Sequence, residues 1–181
     1  MPGPFNAGDW LVDRHVAAGG GARIAYKCED RSQTYEELQR ATWAAANGLR
    51  AVGVSPGDRI LMLVTDEEAF PAAFLGGLRL GAVPIPVSTM LRPPEVATLA
   101  ADSEATAIVV SGRYAGYLTD VAAAAPTMRA AVVVGPGAEP AEPPGVKLYF
   151  WSQFDDCTEP AGHPTTADTP GFWLYTSGTT G

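Results

Sequence analysis

The residues best equipped for chemistry stand together at the end of the chain, in Thr176-Ser177-Gly178-Thr179-Thr180-Gly181. Gly178 and Gly181 permit positive φ and let the backbone come close to a ligand. With no bulky side chain in the way, successive N–H groups can point into one concavity and hold an anion. The hydroxyls of Thr176, Ser177, Thr179 and Thr180 add donors that rotate to meet phosphate oxygens. The same composition also describes a flexible Ser/Gly linker or a polar chain end. Phe172-Trp173-Leu174-Tyr175 runs directly into the loop and reads as a short buried strand, which favours a structured loop. The G-x-x-x-x-G-K-[ST] spacing of a Walker A loop does not occur.

Other reactive residue types carry less. His15, beside Arg14 on an expected helix, has no nucleophile at a recognisable spacing and reads as a surface or capping residue. Cys157 and His163 supply two metal donors, too few for a site, so no metal ligands are assigned. Glu67-Glu68 and Asp155-Asp156 are adjacent pairs whose side chains diverge on a helix, and they suit helix starts better than acid/base work. Gly135-Pro136-Gly137 lacks the third glycine of a dinucleotide fingerprint. Trp43 and the Tyr114, Tyr117, Leu118 and Val121 group read as packing residues.

The chain's 181 residues suit one domain with a sizeable core, residues 1–181. A formal net charge of −8, with basic residues scattered singly, argues against a nucleic-acid partner and an anionic membrane surface. It does not argue against a phosphate ligand, which a local nest of amides can hold on an acidic protein. Two distant cysteines, Cys28 and Cys157, read as thiols in a reducing compartment rather than as a disulfide. The start, Met1-Pro2-Gly3-Pro4, has neither the basic nor the apolar part of a signal peptide, and no stretch has the length of a membrane span. A cytoplasmic location is expected.

The elements that must position the loop follow a regular pattern. Asn6 to Val16 suits a short helix closed by Gly19-Gly20-Gly21. Arg23 to Cys28 and Ser32 to Thr34 suit two short strands around a polar turn. Tyr35, Leu38, Thr42, Ala45, Leu49 and Val52 recur in steps of three and four. They give a helical stripe opened by a Thr34/Glu37 capping box and closed at Gly53 and Pro56. Apolar runs of strand length then fall at 59–64, 83–87, 106–110 and 131–134, with helices between them ending near Leu80, opened by Pro93-Pro94, and spanning Arg113 to Ala124. Continuously apolar strands alternating with helices predict a parallel sheet covered on both faces, a three-layer α/β sandwich with a short amino-terminal hairpin. Residues 147–151 suit one more strand and 172–175 the last, with its loop at the carboxyl edge, where ligands of open α/β sheets bind.

Tyr175-Thr176-Ser177-Gly178-Thr179-Thr180-Gly181 resembles the phosphate-binding motif of the adenylate-forming superfamily, which includes acyl- and aryl-CoA synthetases, peptide-synthetase adenylation domains and luciferases. Thr34-Tyr35-Glu36-Glu37-Leu38, Gly53-Val54-Ser55-Pro56-Gly57-Asp58-Arg59 and Phe74-Leu75-Gly76-Gly77-Leu78-Arg79-Leu80-Gly81-Ala82-Val83-Pro84 are similar, in order, to the amino-terminal part of the same superfamily. Phe5-Asn6-Ala7-Gly8-Asp9-Trp10 with Asp13-Arg14-His15 is similar to the opening of benzoate-CoA ligases.

The resemblance implies an enzyme that joins a small carboxylate to AMP from ATP with Mg²⁺, releases pyrophosphate and passes the acyl group to CoA. Residues Thr176 to Gly181 would hold the β- and γ-phosphates, and the catalytic residues are expected beyond residue 181. The family motif usually continues into Pro-Lys-Gly, so the chain reads as an amino-terminal fragment, inactive by itself and prone to self-association through surface left uncovered. The alternative is a non-catalytic α/β module for nucleotide binding or interaction, since fold alone does not choose between them. The next stretch of the reading frame discriminates: a lysine shortly after Gly181 and several hundred further residues favour the synthetase.

Overall fold

The structure, a computed structural model, describes residues 5–28, 31–65, 67–137 and 140–176. The chain begins with two wide π-type helical segments, Asp9–Asp13 and Val16–Gly20, in place of one regular helix. Gly19 adopts φ 78° and kinks the second, a conformation that glycine reaches without steric cost. The expected hairpin follows: β1 (Ile24–Cys28) pairs antiparallel with β2 (Arg31–Thr34), Cys28 opposite Arg31.

Thr34 then caps α1 (Tyr35–Ala51). Glu37 N–H donates to Thr34 Oγ1 at 3.3 Å, and Thr34 N–H donates to Glu37 Oε2 at 2.8 Å, the reciprocal box that satisfies two orphan donors. That backbone bond from Thr34 is the main cause holding the Glu37 carboxyl below its usual range. The stripe from Leu38 to Val52 is buried, with Thr42, Ala45 and Leu49 at 0% exposure.

Five strands form the central sheet: β3 (Arg59–Leu63), β4 (Val83–Pro86), β5 (Ala107–Ser111), β6 (Ala130–Val134) and β7 (Lys147–Phe150). Their order is β4-β3-β5-β6-β7 and every pairing is parallel. Between them run α2 (Ala69–Arg79), α3 (Pro93–Asp102) and α4 (Leu118–Ala124). The region expected as one helix from Arg113 to Ala124 divides into a 3-10 segment, Gly112–Tyr117, and α4. Close packing accompanies the split: a Cβ on Gly112 would stand 2.5 Å from the Pro136 carbonyl oxygen.

Period-two alternation builds the layers. Ile60, Met62, Val109 and Val132 pack with Ala46, Leu49 and Ala73 of α1 and α2 on one face. Leu61, Leu63, Ile108 and Val133 pack with Val96, Ala100, Leu118 and Val121 of α3 and α4 on the other. No helix among the described residues is long and apolar enough to cross a membrane.

Helices α1 and α2 meet closely at Gly76, where a Cβ would lie 2.8 Å from Ala45 Cβ and 2.9 Å from Ala46 N. We expect Gly76→Ala to force the helices apart and cost about 1–3 kcal/mol. Urea titration checks this; an unchanged midpoint would show that the interface has slack.

Candidate functional site

Of the expected phosphate-loop residues, Thr176 is described and exposed, whereas Ser177, Gly178, Thr179, Thr180 and Gly181 lie outside the described residues. The approach to the loop departs from expectation. Phe172–Tyr175 is not a strand: it is extended, joins no ladder and is exposed, Phe172 by 49% and Leu174 by 64%. It lies beside β4, the outer strand of the sheet, through one backbone bond, Trp173 N–H to Pro84 O at 3.1 Å.

The proline pattern of β4 explains why a ladder does not form. Val83 N–H and Val87 N–H donate inward, to Asp58 O and Met62 O of the β3 region, so the intervening Pro84 and Pro86 face the open edge. Proline has no N–H, and this edge therefore offers carbonyls without donors. A neighbouring segment can donate to it but receives nothing back.

Side chains hold the approach instead. The Phe172 ring meets Phe74 of α2 edge-on at 5.4 Å between centroids. The Tyr175 hydroxyl donates to Asp102 Oδ2 at 2.6 Å, at the end of α3. Desolvation first, then this bond to the carboxylate, pushes the phenol up to about 12. Trp173, Thr169 and Pro170 share a crevice of about 580 Å³ with Gly57, Arg59 and His163. Gly57 and Arg59, Gly81 and Val83, and Asp102 to Glu104 of this crevice precede or begin β3, β4 and β5. The approach thus lies toward the amino edge of the sheet; the loop that the sequence places at the carboxyl edge lies, apart from Thr176, outside the described residues.

A strap spanning residues 154–165 carries the chain there from β7. The Phe154 ring sits on Gly48, where any Cβ would collide with it at 2.2 Å. The Asn47 amide donates to Asp156 O at 2.9 Å and Thr158 O at 2.8 Å. Next comes Arg79, the last residue of α2 and only 2% exposed. Its Nε and Nη2 donate to Pro160 O at 3.0 and 2.8 Å. Its Nη1 donates to Asp13 Oδ2 at 2.5 Å, and Glu159 stands 3.4 Å from Nη2. Asp9 Oδ1 lies 2.7 Å from Nη1 but is not aligned for a hydrogen bond. The guanidinium also covers the Trp43 ring at 5.7 Å.

The backbone of α2's end is bound as well: His163 N–H donates to Arg79 O at 2.8 Å, and the Asn6 amide bridges Arg79 O and His163 O, each at 3.0 Å. A two-residue bridge between Phe5 and Thr165 closes the strap. Sequence reasoning treated Arg79 and Asn6 only as parts of the family resemblance. Their one local signal was polar type beside apolar runs, which does not reveal partners more than sixty residues away.

The His15 ring lies against Tyr35, tilted by 32° with centroids 4.3 Å apart, and its side chain makes no cap hydrogen bond, so it packs rather than capping a helix as expected. Among the described residues no group of three or more His, Cys, Asp or Glu side chains is placed to hold a metal.

Residues 13–181 match the family described as AMP-binding enzyme. The chain belongs to that family. It is 34% identical over 179 residues to a 3-hydroxybenzoate/4-hydroxybenzoate-CoA ligase of Thauera aromatica, covering 98% of the chain and 33% of the relative. It is also 34% identical over 182 residues to the benzoate-CoA ligase of the same organism, covering 100% of the chain and 33% of the relative. The crystal structure of an anthranilate CoA ligase in complex with anthranoyl-AMP superposes with a TM-score of 0.86 at 23% identity, covering 100% of this chain and 34% of that one. This chain of the AMP-binding family thus spans about a third of the length of the relatives it matches.

Two outcomes test the ion cluster. Removing the cation by Arg79→Met leaves three carboxylates uncompensated, and we expect a loss of about 3 kcal/mol, low in the range for buried pairs because Asp9 and Glu159 are partly exposed and rehydrate. Burial, opposed by Arg79, raises the Asp9 carboxyl above its ordinary value of 3.8. The folded chain then holds a proton that the unfolded chain has lost. Stability therefore falls as pH rises from 3.8 through the raised value and is level above it. Asp9→Asn should flatten that part of the stability–pH curve, which thermal melts at closely spaced pH values would reveal.

Proposed function

We propose that this chain is the amino-terminal third of an ATP-dependent carboxylate-CoA ligase acting on aryl acids, and that Thr176 to Gly181 hold the β- and γ-phosphates of ATP. What supports this reading is the match of nearly the whole chain to ligases of benzoate and hydroxybenzoates. In the proposed reaction a carboxylate oxygen attacks the α-phosphorus of ATP and the bond to pyrophosphate breaks, leaving an acyl-adenylate. The sulfur of CoA then attacks the acyl carbon and AMP departs. Fixed donors around the triphosphate favour the first step by holding the leaving group's charge where it develops. Mg²⁺ would enter on the nucleotide with phosphate oxygens as ligands and neutralise part of that charge.

The described part of the chain contributes position rather than proton transfer. The strap and the approach bring Thr176 beside the end of α3 through Tyr175. Groups that move protons or contact the acyl group and adenine would come from the rest of the enzyme, as would the cover for the exposed residues Phe172 to Tyr175. The site of action would be the cytoplasm, where ATP and CoA are available. Chain 1–181 by itself would be inactive and would self-associate through that apolar surface.

In the full-length protein, Gly178→Val should slow benzoate-dependent pyrophosphate exchange by about two orders of magnitude, because a β-branched residue disfavours positive φ and blocks backbone approach. Exchange at the wild-type rate would remove the loop from the site. Residues 1–181 alone should show no micromolar binding of Mg·ATP by calorimetry, since the groups proposed to contact adenine and the acyl group would come from the rest of the enzyme. Tight binding would locate the nucleotide site elsewhere.

A further inference from the structure

Tyr175 is the last anchored residue before the proposed loop, and its anchor is unusually well mounted. The acceptor, Asp102, ends α3. The turn after it is fixed from two sides. Ser103 Oγ donates back to Leu99 O at 2.7 Å, while Arg59 at the start of β3 donates through Nε to Ser103 O at 2.8 Å and through Nη2 to Glu104 Oε2 at 3.1 Å. Asp102 therefore stands on a base tied into the sheet. The segment it receives has few other holds among the described residues: the Phe172 ring meets Phe74, Trp173 N–H donates to Pro84 O, and Leu174 is exposed.

We propose that the Tyr175–Asp102 hydrogen bond is a positioning latch that sets where the phosphate loop begins relative to the sheet. This rests on the reading of Thr176 to Gly181 as that loop. Consecutive Cα atoms are about 3.8 Å apart, so fixing Tyr175 confines where Thr176 can stand. The phenol touches no reacting atom and acts through the loop. Because it is held up to about 12, it remains a donor throughout the working range of such an enzyme. Asp102 has no need to be there for the helix: a negative charge at a helix carboxyl end opposes the macrodipole. Its removal should not weaken the fold.

The test uses Tyr175→Phe, Asp102→Ala, Asp102→Asn and the Tyr175→Phe/Asp102→Ala double variant in the full-length protein, with Gly178→Val alongside. A hydrogen bond to a charged group, discounted for partial exposure, should give about a 5- to 20-fold rise in KM for ATP in Tyr175→Phe and Asp102→Ala. The double variant should be no worse than the more severe single, as for two members of one interaction. Asp102→Asn keeps an acceptor oxygen and should recover most of the loss. Turnover at saturating ATP, KM for the carboxylate and the thermal midpoint should stay near wild type.

An unchanged KM for ATP in Tyr175→Phe, or additive single effects, would overturn the latch while wild type and Gly178→Val behave as expected. A lowered thermal midpoint with losses spread over all substrates would overturn it too, making the pair a structural one. If wild type lacks ATP-dependent exchange, or Gly178→Val retains it, the functional reading fails and the latch with it.

Discussion

A guanidinium sealed in the interior sets the terms for much of this fold. A buried cation is costly unless opposing charge and acceptors surround it. Arg79 sits at the end of α2, where the helix dipole already favours positive charge. Its remaining needs are met by Asp13, Glu159, the Pro160 carbonyl and the approach of Asp9. These partners come from the first helical turns and from the strap after β7, two regions nearly the whole chain apart. One side chain thus joins the beginning of the chain to its end, and Asn6 reinforces the join through the Arg79 and His163 carbonyls.

The sheet imposes a second constraint through its outer strand. Alternating prolines in β4 leave the open edge with acceptors and without donors. Natural edge strands use proline in this way to discourage further pairing. Here the neighbouring segment is the approach to the proposed phosphate loop, so that approach is held by a ring contact and a phenol–carboxylate bond rather than by a ladder. Side-chain anchors hold one point each, which makes the placement of Thr176 depend on few atoms.

Shifted ionisation is not by itself a mark of chemistry in this molecule. Glu37 is lowered chiefly by the backbone N–H of its cap Thr34, Glu95 chiefly by the Arg92 guanidinium, and Asp156 by the hydroxyl and N–H of Thr158 in a turn. Tyr26 is pushed up to about 12, chiefly by burial. Each shift has a structural cause among the described residues. The contribution proposed for this chain is accordingly geometric: a three-layer body whose exit is held by side-chain contacts.

Local sequence determined whatever depends on neighbours along the chain. The Leu38-to-Val52 stripe, the Thr34/Glu37 box, the prolines opening α3 and the alternation of apolar runs with helices were all legible, because period and capping are properties of a few adjacent residues. The order Tyr175 to Gly181 likewise carries the family resemblance by itself. Tertiary structure alone decided the rest. Phe172 to Tyr175 has the composition of a strand, but a strand needs an edge that both gives and accepts hydrogen bonds, and the edge beside it cannot give. Which edge of the sheet the segment reaches was equally hidden, since it depends on the strap gripped by Asn47 and Arg79. A buried charge finds its partners by folding, and sequence spacing holds no record of them.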